Sequence, residues 1–100
     1  MDHVDREFAV RKLAVLFLEL KSEMEGEWVE QAQDAIEGLE SVADGRTFSW
    51  EGKMLVFVRA HKLLKRILPE TAPANHQNIN RANALYALSC LIEETGKGDL

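Results

Sequence analysis

The stretch that decides the fold is EWVEQAQDAIEGLESVADG, Glu27 to Gly45. Trp28, Val29, Ala32, Ala35, Ile36, Leu39, Val42 and Ala43 recur at helical spacing and share one face. Glu27, Glu30, Asp34, Glu37 and Ser41 lie opposite. One apolar face and one polar face at a period of about 3.6 residues make an amphipathic helix over 27–43. Acids in its first turn suit the positive end of the helix dipole. Asp44-Gly45 is a stop signal, because glycine adopts the left-handed conformation that ends helices.

Reading toward the N-terminus, residues 4–24 predict a first helix. Ala9, Val10, Leu13, Leu16, Phe17, Leu20 and Met24 fall on one face. Val4, Phe8, Val15 and Leu18 form a second apolar stripe, interrupted by Arg11 and Ser22. Two apolar stripes imply a helix covered on two sides, by its own bundle or by a helix of another chain.

Reading toward the C-terminus, GRTFS is a short connection in which Thr47 or Ser49 caps a third helix over 49–68. Pro69 stops it. Trp50, Met54, Phe57, Val58, Leu64 and Leu68 form its main face, widened by Val56, Ala60, Leu63 and Ile67. Arg59, Lys62 and Arg66 hold the narrow polar strip, with Lys65 at its edge, so this helix is expected to be the most buried. PETAPANH is a linker, with Asn75 or Asn78 as the cap of a fourth helix over 78–95. Ile79, Ala82, Leu85, Tyr86, Leu88 and Ile92 are expected in its core, and Asn80, Asn83, Ala87 and Glu94 on its exposed stripe. The pattern predicts an all-α fold, a small four-helix bundle in a single domain over 1–100. The other arrangement is a three-helix core with one helix reserved for a partner.

Composition agrees and excludes much else. One hundred residues are too few for a TIM barrel or a full dinucleotide-binding enzyme. An apolar share of 46% is too high for a wholly disordered chain. The apolar run Leu13–Leu18 falls far short of the ~20 residues that span a bilayer. MDHVDREF opens with acids and lacks the layout of a secretory signal, and one cysteine, Cys90, forms no intramolecular disulfide. A cytoplasmic location is the expectation.

The net charge of −5 is unevenly spread: residues 1–51 hold 13 acids against 5 bases, and residues 52–100 hold 4 against 7. Either neighbouring helices attract one another, or one of these faces docks a partner. Glu27, Glu30, Asp34 and Glu37 repeat near 5 Å along one side of a helix, at about 1.5 Å per residue. Phosphates along a nucleic-acid strand have a broadly similar interval, so such a row suits a Lys/Arg groove built for nucleic acid. Arg59, Lys62 and Arg66 either pair with the acidic helix or form a secondary patch for an acidic partner. Asn80 and Asn83 offer exposed donors and acceptors suited to a wet protein interface.

Chemistry-bearing patterns are few. No Glu-x-x-His pair supplies a di-iron bundle, His3 and Glu7 lie four apart near the terminus, and one cysteine makes no closed zinc site. No metal or cofactor is expected. No phosphate-binding glycine motif occurs apart from a TGKG with no strand before it. A helix-turn-helix across 36–66 would spend Trp50, Met54, Phe57 and Val58 on the core, which disfavours direct nucleic-acid binding. His61 on an apolar face reads as a core histidine with one hydrogen bond. The alternative couples it to Cys90 as an enzyme or small-molecule site in a bundle cavity.

In size, acidity and helicity the chain resembles the small inhibitor proteins encoded by phages and other mobile elements, including some anti-CRISPR proteins. That resemblance is one of type and carries over no residue. It implies a protein that acts by occupying a surface. The expectation is therefore a non-enzymatic protein-binding domain, an inhibitor or adaptor whose partner is a larger, nucleic-acid-handling complex. Its contact residues are Glu27, Glu30, Asp34, Glu37, Asn80 and Asn83. The alternative is a structural homodimer of bacterial regulatory type, joined through Val4, Phe8, Val15 and Leu18.

Overall fold

Gly45 takes φ 77° where the sequence calls for a stop. Its N–H donates to the Val42 carbonyl at 3.1 Å, and the Arg46 N–H donates to the Ser41 carbonyl at 2.9 Å. These two bonds satisfy carbonyls that the helix end leaves open. The computed structural model describes residues 3–68 and 75–97, with side chains over 6–68 and 75–97. Its elements are α1 (His3–Lys21), α2 (Glu27–Ala43), α3 (Trp50–Ile67) and α4 (His76–Gly96). No strand occurs among the described residues.

The caps explain the boundaries. Ser49 Oγ accepts from the Gly52 N–H at 3.1 Å and starts α3. Thr47, the other candidate, spends its hydroxyl on Ser41 at 2.7 Å. Asn75 Oδ1 accepts from the Asn78 N–H at 2.8 Å, so α4 begins at His76 rather than 78. α1 stops at Lys21, short of the expected 24. There the N–H groups of Ser22, Glu23 and Met24 turn back three residues, to Glu19, Leu20 and Lys21. The chain then enters Gly26 at φ 64°. Pro69 and most of the linker lie outside the described residues, as does the side chain of Val4.

α1 packs along α2 and α3 along α4; the two hairpins join through α2 and α3, while α1 and α4 touch least. Successive helices run in opposite directions. The start of α1, end of α2, start of α3 and end of α4 meet at one end, around Val10, Val42, Phe57 and Leu91. The fold is thus an all-α four-helix bundle. Phe17, Leu39, Phe57, Leu64, Leu88 and Leu91 fill its centre with almost no exposure. Each buried side chain of this size contributes about 1.5–3 kcal/mol relative to exposure.

Two expected faces are corrected. On α4 the buried positions are Ala84, Leu88, Leu91 and Thr95, whereas Tyr86 is 73% exposed and Ile79 and Ala82 also face out. Apolar residues surround this helix almost entirely, so its pattern identifies a helix without fixing its rotation. Thr95 is accepted in the core because its hydroxyl donates to the Leu91 carbonyl at 2.7 Å. On α3, Trp50 and Leu55 are at least half exposed, and among the described residues α1 holds more buried side chains, so α3 is not the most buried helix. Trp50 is its first residue and extends past the end of the core.

Candidate interaction surface

The α2/α3 seam is a groove of about 520 Å³. Asp34, Ala35 and Gly38 line it from α2, and Leu55, Val56, Arg59, Lys62 and Arg66 from α3. Gly38 brings the two backbones close: a Cβ built there would stand 3.0 Å from Val56 Cγ2. From this narrow floor the side chains flare outward. Asp34 forms the α2 lip, with Glu27 and Glu30 exposed further along the same helix, and Arg59, Lys62 and Arg66 form the α3 lip.

The two lips do not neutralise each other. Among the described residues, no salt bridge joins Glu27, Glu30 or Asp34 to Arg59, Lys62 or Arg66. All six side chains are exposed. The ion pairs lie elsewhere, as in Arg11–Asp44 at 3.0 Å, which ties α1 to the end of α2. Glu37 alone in the acidic row is engaged, accepting from Gln33 Nε2 at 3.1 Å. Mutual pairing of the second and third helices, one of the two explanations for the uneven charge, is therefore not seen as close contacts.

The structure separates the other expected contact residues. Asn80 and Asn83 are exposed on α4, which packs on α3 and α1 and not on α2. They share the same end of the bundle as Glu27 but sit on the diagonally opposite helix. A flat partner reaching the acidic row does not reach them. Phe8, Val15 and Leu18 stand 64%, 57% and 56% exposed on the outer face of α1.

His61 is half-buried, and its Nε2 lies 3.2 Å from Ser89 Oγ. Burial, aided by the Lys65 charge, holds the imidazole below its ordinary pKa. Its hydrogen-bond partner is Ser89 and not the half-buried Cys90. Neither His61 nor Cys90 lines the α2/α3 groove or the grooves at the two ends of the bundle. Among the described residues, no three His, Cys, Asp or Glu side chains gather as metal ligands. No described helix is long and apolar enough to cross a membrane.

Two features escape the sequence reading. Phe48 is 80% exposed just before the α3 cap. An apolar residue there normally staples onto the fourth helical position, but that position is Lys53, and this is the signal that would have found it. Glu23 clasps α4, accepting from Arg81 Nη2 at 2.8 Å and from Gln77 Nε2 at 3.3 Å. A link across 58 residues leaves no local pattern to read. No protein-family model matches the chain, and neither the curated proteins nor the solved structures contain a detectable match to it.

Proposed function

We propose that the chain is a non-enzymatic protein-binding domain, an inhibitor or adaptor that works by occupying a surface of its partner. The observation that carries this reading is the acidic lip of α2. Glu27, Glu30 and Asp34 are exposed and without ion pairs among the described residues. A packed helix holds them at intervals of about 4.5–6 Å. The packed backbone sets the spacing of these carboxylates before binding, and they steer a basic partner electrostatically. The complementary surface is a row of Lys and Arg, such as a groove that otherwise follows a phosphate backbone. A nucleic-acid-handling partner and the inhibitor class fit this chemistry.

The test compares capture by the wild-type chain with capture by a Glu30→Lys, Asp34→Lys, Glu37→Lys variant whose fold is checked by circular dichroism. Loss of the bound partner supports the reading, and unchanged capture rejects the acidic face. A second reading, homodimerisation through α1, is favoured by the exposure of Phe8, Val15 and Leu18. A Phe8→Glu, Val15→Glu variant that scatters light as a smaller particle than wild type would support it.

A further inference from the structure

The α2/α3 face is self-complementary, and we infer that its occupant is a second copy of this chain. The inference rests on the preceding reading, because it assigns the basic partner of the acidic lip to the α3 lip of another copy. The geometry starts from Gly38, whose missing Cβ points at Val56 and so sets the two residues at one height. Because α2 and α3 run in opposite directions, heights match where residue numbers sum to nearly the same value. Asp34 is then level with Arg59, Glu30 with Lys62 and Glu27 with Arg66. Glu27 and Asp34 are seven residues apart, as are Arg59 and Arg66, so both rows repeat every two turns, about 10.5 Å.

Consider a two-fold axis lying between two such faces and parallel to the helices. It preserves height and exchanges left for right. α2 of one copy then lies over α3 of the other, and every acid meets a base in both halves of the interface. An axis in the same plane but across the helices would set acid on acid. Charge complementarity therefore fits a second copy and selects its orientation. Leu55, half exposed on the basic lip, comes level with Gly38 of the other copy. The apolar stripe of α1 has no comparable feature that says what covers it.

The face is about 25 Å long and two helices wide, about 20 Å. It offers on the order of 500 Å² per copy and about 1,000 Å² in total, the lower bound for a specific interface. Association is accordingly weak, concentration-dependent and sensitive to salt.

Sedimentation equilibrium of the full chain tests this at about 0.05 M and about 0.5 M salt. The samples are wild type, a Glu27→Lys, Asp34→Lys variant, an Arg59→Glu, Arg66→Glu variant, and an equimolar mixture of the two variants. The expected result is a wild-type dimer whose dissociation constant rises about tenfold or more at the higher salt. Each variant alone is monomeric, since both of its lips then carry the same sign. The mixture dimerises again, which also shows that the variants are folded. A wild-type chain that stays monomeric at low salt overturns the inference, as does a dimer that survives both reversals. So does a dimer lost only in a Phe8→Glu, Val15→Glu variant. A Lys-rich peptide separates this failure from failure of the acidic-face reading. If it binds the monomeric wild type and not the α2 variant, the acidic face stands and the second copy is excluded.

Discussion

Replacing Gly38 with alanine probes how closely α2 and α3 approach. The new Cβ would stand 3.0 Å from Val56 Cγ2 and 3.1 Å from Cγ1. Carbon atoms in ordinary contact sit about 3.5–4.0 Å apart, so the pair must separate by roughly half an ångström. Val56 is β-branched and keeps one rotamer in a helix, so it does not swing clear. The helices themselves must part, an overpacking that costs about 1–3 kcal/mol. Alanine returns up to about 1 kcal/mol through helix propensity. The expected net is a loss of about 1 kcal/mol, or ~4–8 °C in Tm for a domain of this size. Once Val56 is also alanine the obstacle is gone, and Gly38→Ala should then stabilise by roughly 0.5–1 kcal/mol. The two substitutions therefore couple by about 2 kcal/mol in a double-mutant cycle. Urea denaturation followed by far-UV circular dichroism on the four proteins measures this directly. Strict additivity, or a stabilising Gly38→Ala in the wild-type background, would refute the close approach.

Other perturbations have equally definite outcomes. Ser49→Ala removes the acceptor of the Gly52 N–H and should cost about 1 kcal/mol in urea denaturation, while Ser49→Gly costs only a few tenths. Phe17→Ala empties a position with no exposure and should cost about 3–5 kcal/mol, a large part of the stability of a domain this small; a loss under about 1 kcal/mol would displace Phe17 from the core. For His61 burial holds the folded pKa below the ordinary imidazole value of 6.5, so the unfolded chain takes up its proton first. Stability should then fall as pH drops from about 6.5 toward the lower folded value, with no His61 contribution above that window. A His61→Gln variant should flatten that slope, and an unchanged slope would place its origin elsewhere.

How much of this was legible in the sequence depended on how one-sided each helix is. α2 was read to the residue, because its polar and apolar faces divide cleanly and Asp44-Gly45 closes it by a local hydrogen-bond pattern. On α4 the expected Leu85, Leu88 and Ile92 do lie in or against the core, whereas Ile79, Ala82 and Tyr86 face out, because apolar residues lie all round this helix. Only packing on α3 decides that Leu91 goes in and Tyr86 goes out. The acidic and basic rows were both visible in one dimension. That Asp34 and the three bases line one groove without pairing was not, since it depends on the tertiary approach at Gly38 and Val56. The split between the acidic row and Asn80 and Asn83 has the same origin: spacing along a chain says nothing about which helices are diagonal.

A dilution series of the uniformly ¹⁵N-labelled chain, followed by amide chemical shifts at low salt, maps the working surface residue by residue. Concentration-dependent shifts should concentrate at Glu27, Glu30 and Asp34 on α2 and at Arg59, Lys62 and Arg66 on α3, and vanish when salt is raised. Shifts centred on Phe8, Val15 and Leu18, or on His61 and Ser89, would contradict the charged α2/α3 face.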